Sequence, residues 1–151
     1  MYDVEVTHPL SDGPGDLNDD ARRLLVELDR EVPGIAAITA DCRPPLDVLE
    51  TSTSVEIVMD VPGVPPESLR VVIKRATLLV VGAKVGPPAD PQARFHLAER
   101  SFGRFARAVR LAGAFDGTRA RATTRAGELR VVLPLLEERR GQLLRIPVER
   151  E

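Results

Sequence analysis

The run Val55-Glu56-Ile57-Val58-Met59-Asp60-Val61-Pro62-Gly63 decides the fold class. Val55, Ile57, Met59 and Val61 alternate with Glu56 and Asp60, so an extended chain turns its aliphatic set to one face and its acids to the other. Pro62-Gly63 then ends the run with turn residues. The same period continues on the C-terminal side. Leu69, Val71 and Ile73 alternate against Arg70 and Lys74; Phe105, Val109 and Leu111 share one parity, and so do Leu129, Val131 and Leu133. The run Leu78-Leu79-Val80-Val81 is apolar at consecutive positions and reads as a central strand with both faces covered. Turn residues separate these runs: Pro62-Gly63, Pro65-Pro66, Gly82, Gly86-Pro87-Pro88, Gly103, Gly117 and Gly127. Short strands spaced in this way predict an all-β antiparallel sandwich over residues 44–135.

The flanks read differently. Residues 1–43 form an N-terminal arm whose first 16 residues, with Pro9, Gly13, Pro14 and Gly15, are expected to be poorly ordered. Leu17, Ala21, Leu24, Leu25, Leu28 and Val32 then recur at three- and four-residue steps, the apolar stripe of one short amphipathic helix. Asp16 or Asn18 can cap its start, and Pro33-Gly34 ends it. A lone amphipathic helix has no core of its own, so it must dock on something. Residues 136–151 form an extended tail. Pro147 favours an extended chain, as it does for the residue before it. Ile146 and Val148 therefore project to the same side as a two-pronged apolar plug.

A length of 151 residues suits one domain with short flanks. The apolar fraction is 43% and there is no Trp, so aliphatic side chains must supply most of the core. Net charge is −2, but residues 1–69 hold 4 basic and 15 acidic side chains, whereas residues 91–130 hold 9 basic and 3 acidic. Such asymmetry suits self-association, acidic arms lying near basic faces of another subunit, as well as nucleic-acid binding. Cys42 is the only cysteine, so no intrachain disulfide or cysteine metal cluster can form. The acids in Met1-Tyr2-Asp3-Val4-Glu5 do not fit a signal peptide, and no apolar run approaches the ~20 residues of a membrane span. A cytoplasmic protein without membrane contact is expected.

No catalytic constellation is present. His8 and His96 stand far apart and lack companions at metal-ligand spacing. There is no Gly-x-Ser-x-Gly elbow and no phosphate-cradling glycine loop. Cys42 beside Arg43 has the chemistry of a reactive thiol, yet reads more simply as a spare cysteine in a linker. No enzyme activity, cofactor or metal is expected. The stretch Arg100-Ser-Phe-Gly-Arg104-Phe-Ala-Arg107-Ala-Val-Arg110 interleaves arginine and phenylalanine as single-strand nucleic-acid binders do. Parity opposes that use, because Arg107 falls on the face of Phe105 and Val109. A cation there needs an acidic or carbonyl partner, which suits an interface better than a phosphate.

Four motifs in order resemble the α-crystallin domain of small heat-shock proteins. Val58-Met-Asp60-Val-Pro62-Gly63-Val64 with Leu78-Leu-Val80-Val-Gly82 resembles its opening half, and Glu99-Arg100-Ser-Phe102-Gly103-Arg-Phe105-Ala-Arg107 its central signature. Ala122-Thr-Thr-Arg-Ala-Gly127-Glu-Leu129 resembles the Ala-x-x-x-x-Gly-x-Leu signature, and Ile146-Pro147-Val148 the C-terminal anchor. The resemblance implies an immunoglobulin-like sandwich and an ATP-independent holdase that binds unfolding clients. It implies homodimers exchanging the strand Phe95-His96-Leu97 on the loop from Ala83 to Ala98, with Arg107 at the interface. The anchor is implied to dock between edge strands, on Leu69, Val71, Ile73, Ala120 and Ala122, building larger oligomers. Clients are expected on that groove and on Leu17, Leu24, Leu25 and Leu28 of the arm. The alternative is an adaptor module that uses the same sandwich for one dedicated partner.

Overall fold

A computed structural model describes residues 42–136, together with residues 23, 24, 26, 27, 29 and 30. The readings made for Leu17, Leu25, Leu28 and the anchor Ile146, Pro147 and Val148 lie outside the described residues.

The alternating run forms strand β2 (Ser54–Asp60), which buries Val55, Ile57 and Met59 and exposes Asp60. On its two sides lie β1 (Leu46–Glu50) and β7 (Glu128–Pro134), and beyond β7 lies β6 (Arg121–Arg125), all antiparallel. The second sheet is β3 (Arg70–Lys74), β4 (Thr77–Lys84) and β5 (Gly103–Arg110), in that order and also antiparallel. Four strands over three make the expected sandwich. Its core is the set of inward positions from both sheets, with Ile57, Met59, Leu78, Val80, Phe105, Val131 and Leu133 at or below 2% exposure. Aliphatic residues fill it, and among the described residues Phe105 is the one buried aromatic ring.

The double-faced run behaves as its pattern demands. Leu78 and Val80 enter the sandwich core, while Leu79 and Val81 turn to the outer face and are also buried. At the β6–β7 hairpin, Ala126 (φ 51°) and Gly127 (φ 80°) both take positive φ, the geometry that twists a two-residue loop with its strands. A side chain at 127 would also press on Pro62, with its Cβ 3.4 Å from the Pro62 Cα.

Gly82 corrects the sequence reading. It is not a turn but an interior residue of β4, paired with Phe105. A Cβ there would lie 2.7 Å from Phe105 Cζ and 2.9 Å from Leu69 Cδ2. The position is glycine because the phenyl ring occupies the space of its side chain. Gly82→Val is expected to lower stability by about 1–3 kcal/mol through overpacking, measured by urea unfolding.

The strand orders leave four edges. The β6 edge lies beside β3, since Gly117, in the 3-10 turn (Gly117–Arg119) before β6, has its ideal Cβ 3.6 Å from Ile73 Cγ2. The β1 edge lies beside β5, because residues 42–45 run along β5 into β1: the Cys42 N–H donates to the Arg104 carbonyl at 3.4 Å.

Candidate interaction surfaces

The β1–β5 flank is built from the residues that precede β1. The Cys42 thiol is buried in the core cluster and donates to the Gly103 carbonyl at 3.5 Å, so it is packed, not a spare linker residue. Arg107 lies among the inward positions of β5, as parity required, and its guanidinium donates to the Pro44 carbonyl. Burial first, and then the neighbouring Arg43, hold the guanidinium below its ordinary pKa. Both causes disfavour a lone cation. Among the described residues no carboxylate reaches it, although a carboxylate would offset that cost.

Beside this strap runs the outermost strand. Among the described residues β1 pairs with β2 alone, which leaves its other row of backbone groups without a strand partner, and Val48 and Leu49 are substantially exposed. An uncovered edge of this kind is a template for another strand. A segment fit to pair there exists in the same chain: residues 85–102 carry no strand, and their Phe95 and Leu97 are each 73% exposed, with His96 also exposed between them. Two large apolar side chains in water are an outlier for a loop of polar and small residues.

On the opposite flank, Leu69, Val71 and Ile73 of the β3 side and Ala120 are partly buried and pack on the core from the gap between the edges. Ala122 is exposed on β6, as is the rest of that strand. Of the five groove residues, Leu69, Val71, Ile73 and Ala120 are thus partly buried against the core, and Ala122 is exposed. Ala120 precedes the strand, which starts at Arg121 because the 3-10 turn takes Gly117–Arg119.

The outer face of β3-β4-β5 forms a third surface. Leu79 and Val81 are covered by Leu24, which is 6% exposed, with Val72, Ala106 and Ala108 packed around them. Residues 23, 24, 26, 27 and 29 are helical, and Glu27 forms an ion pair with Lys74 of β3. The Lys74 hydrogen bond holds the Glu27 carboxyl below its ordinary pKa. Of the apolar stripe, Leu24 is thus seated on the sheet of its own chain.

Among the described residues no group of three His, Cys, Asp or Glu side chains is placed to hold a metal ion. No helix of the described residues is long and apolar enough to cross a membrane.

A model of the Hsp20/alpha crystallin family matches residues 47–149. The chain belongs to that family. A curated relative, the 18 kDa heat shock protein of Streptomyces albus G, is 31% identical over 124 residues, which are 80% of this chain and 86% of that protein. Among solved structures, heat shock protein 16.0 of Schizosaccharomyces pombe matches with a TM-score of 0.61 at 26% identity, covering 72% of this chain and 99% of that one. A small heat-shock protein of Xylella fastidiosa, at 23% identity, shares the fold with a TM-score of 0.64 over 74% of this chain and 100% of its own.

Membership in the small heat-shock proteins supports a chaperone role, and the family's motif residues sit at structural joints of this sandwich. Pro62 and Gly63 (φ 76°) turn the chain out of β2, Gly103 (φ 109°) opens β5, and Phe105 centres the core. Ala122 lies on β6, Gly127 closes its hairpin, and Leu129 is buried in β7. Sequence reasoning missed two elements of the surfaces. The exposed strand β1 carries almost no apolar alternation, and the contact of Cys42 with β5 leaves no local signal.

Proposed function

We propose that the chain is an ATP-independent holdase: it binds unfolding proteins and keeps them from aggregating, without catalysis or cofactor. The β1 edge, which pairs only with β2 among the described residues, and the exposed Phe95-His96-Leu97 segment together support this reading. In a homodimer each subunit lays that segment on its partner's β1, so two exposed apolar elements cover one another. Arg107 then gains an anion from the partner, which relieves the desolvation described above. The extension, residues 136–151, docks Ile146 and Val148 around Pro147 in the gap lined by Leu69, Val71, Ile73 and Ala120, with Ala122 at its rim, linking dimers into larger homo-oligomers. The chain divides accordingly into an arm (1–43), the α-crystallin sandwich (44–135) and the extension, and it acts in the cytoplasm without membrane or nucleic-acid partners. Client segments bind the apolar surfaces that open when oligomers loosen, the groove and the arm residues Leu17, Leu24, Leu25 and Leu28 among them.

Heating an aggregation-prone client with and without the full chain, in the absence of nucleotide, tests the reading. Suppression of turbidity near one subunit per client is expected. Undiminished turbidity with the chain still folded would replace it with the adaptor reading, in which the same sandwich serves one dedicated partner. Arg107→Ala is expected to shift dimers to monomers or precipitate, read by sedimentation. A soluble dimer of unchanged stability would remove Arg107 from the interface.

A further inference from the structure

The helical segment that covers the second sheet carries an inference about what this chaperone selects. On the outer face, the apolar centre around Leu79 and Val81 is flanked by Arg70 and Lys74 of β3 and by Arg104 and Arg110 of β5. None of the outward positions of β3, β4 and β5 is acidic. An apolar strip with a cationic rim is complementary to an amphipathic helix whose polar side is acidic. The stretch of sequence around Leu24 and Glu27 has that composition: residues 16–32 contain six acidic and three basic side chains around their leucines. Leu24 fills the apolar strip and Glu27 meets Lys74 of the rim.

We propose that this face is a client-binding surface selective for acidic amphipathic segments of unfolding proteins, and that the chain's own helix occupies it until such a segment takes its place. The inference rests on the holdase reading and reverses the role of the arm: Leu24 is a cover, and the sheet beneath it is the receptor. The contacts of the described residues of the cover include one buried leucine and one exposed ion pair, and exposed pairs contribute little. Clients whose helices are basic are repelled by the rim and are held elsewhere or not at all.

The probe is a fluorescent peptide with the sequence of residues 16–32, added to the full chain, to Leu24→Asp and to Leu24→Asp/Val72→Lys. In Leu24→Asp the internal competitor is gone, so the peptide is expected to bind about tenfold more tightly than to the unaltered chain. Val72→Lys, which places a charge in the apolar strip, is expected to reverse that gain. A peptide with its acids changed to lysine is expected not to bind, and added salt weakens the native peptide. The same ranking is expected for capture of an acidic heat-labile client, with unlabelled peptide competing. Lys74→Glu is expected to loosen the cover, and Lys74→Glu/Glu27→Lys to restore it, with neither change touching the core. Equal peptide binding by the unaltered chain and Leu24→Asp overturns the proposal, and so does client capture that the peptide does not reduce. If no version of the chain holds any client while the peptide still ranks as described, the holdase reading fails and the client assignment falls with it. In that case the covered face stands as the seat of the helix alone.

Discussion

Phe105→Ala is expected to lower the stability of the sandwich by about 3–5 kcal/mol. The ring is fully buried, pairs with Gly82 in the β4–β5 register, and is the one buried aromatic among the described residues. Collapse cannot close the void easily, because the facing residue is Gly82, which has no side chain to move inward. For a sandwich of this size the loss corresponds to a melting point lower by more than ~10 °C. Thermal and urea unfolding measure it. Adding Gly82→Ala to Phe105→Ala is expected to recover part of the loss, although Gly82→Ala alone is destabilising. The two changes therefore couple with opposite sign in a double-mutant cycle. A loss below about 1 kcal/mol, or strictly additive changes, would show that ring and glycine do not fill one another's space. Phe105→Leu provides the same comparison if the alanine variant does not fold.

Ile146→Ala with Val148→Ala is expected to reduce the assembly to dimers. Two aliphatic side chains withdrawn from water stabilise a contact by about 3–6 kcal/mol at most. Loss of translational and rotational freedom offsets much of that. A single tail contact is thus weak, but in the proposed oligomer every subunit contributes one, and the assembly would depend on all of them together. Removing the plug from each subunit weakens every link at once, so the expected change is a collapse in mass, not a small shift. Light scattering reads the mass, and a thermal melt of the diluted chain reports whether the sandwich is intact. An unchanged mass would remove the anchor role of these residues.

The core was legible in the sequence because burial in a strand writes a period of two. Val55, Ile57 and Met59, or Leu129, Val131 and Leu133, need no neighbour to be recognised. The double-faced run at 78–81 likewise announced a strand covered on both sides. What covers its outer face was not legible. A stripe of leucines at helical spacing says that a partner exists, but the partner's surface is assembled from three strands distant in sequence. Gly82 was misread for a related reason: close approach of Phe105 and a tight turn both select glycine, and only the fold separates them. β1 was missed because an edge strand with exposed Val48 and Leu49 has little burial to record. Arg107 was read correctly on its face by parity alone, and its carbonyl partner at Pro44, 63 positions away, appeared only with the structure. The five groove residues came from family resemblance; four of them are half-buried against the core, and Ala122 is exposed on β6.

The burial of Cys42 against β5 has a practical consequence. It is the single cysteine of the chain, so a thiol reagent has one target and one way in: residues 42–45 must first lift from β5. Labelling is therefore a clock for that opening. When reclosing outpaces the reagent, the labelling rate gives the fraction of time the strap is off; when the reagent is faster, it gives the lifting rate itself. The strap leads directly into the strand at the open edge, so the clock runs beside the surface where subunits are proposed to join. A partner laid on that edge slows it, and the slowing, followed against dilution, measures how long two subunits stay together.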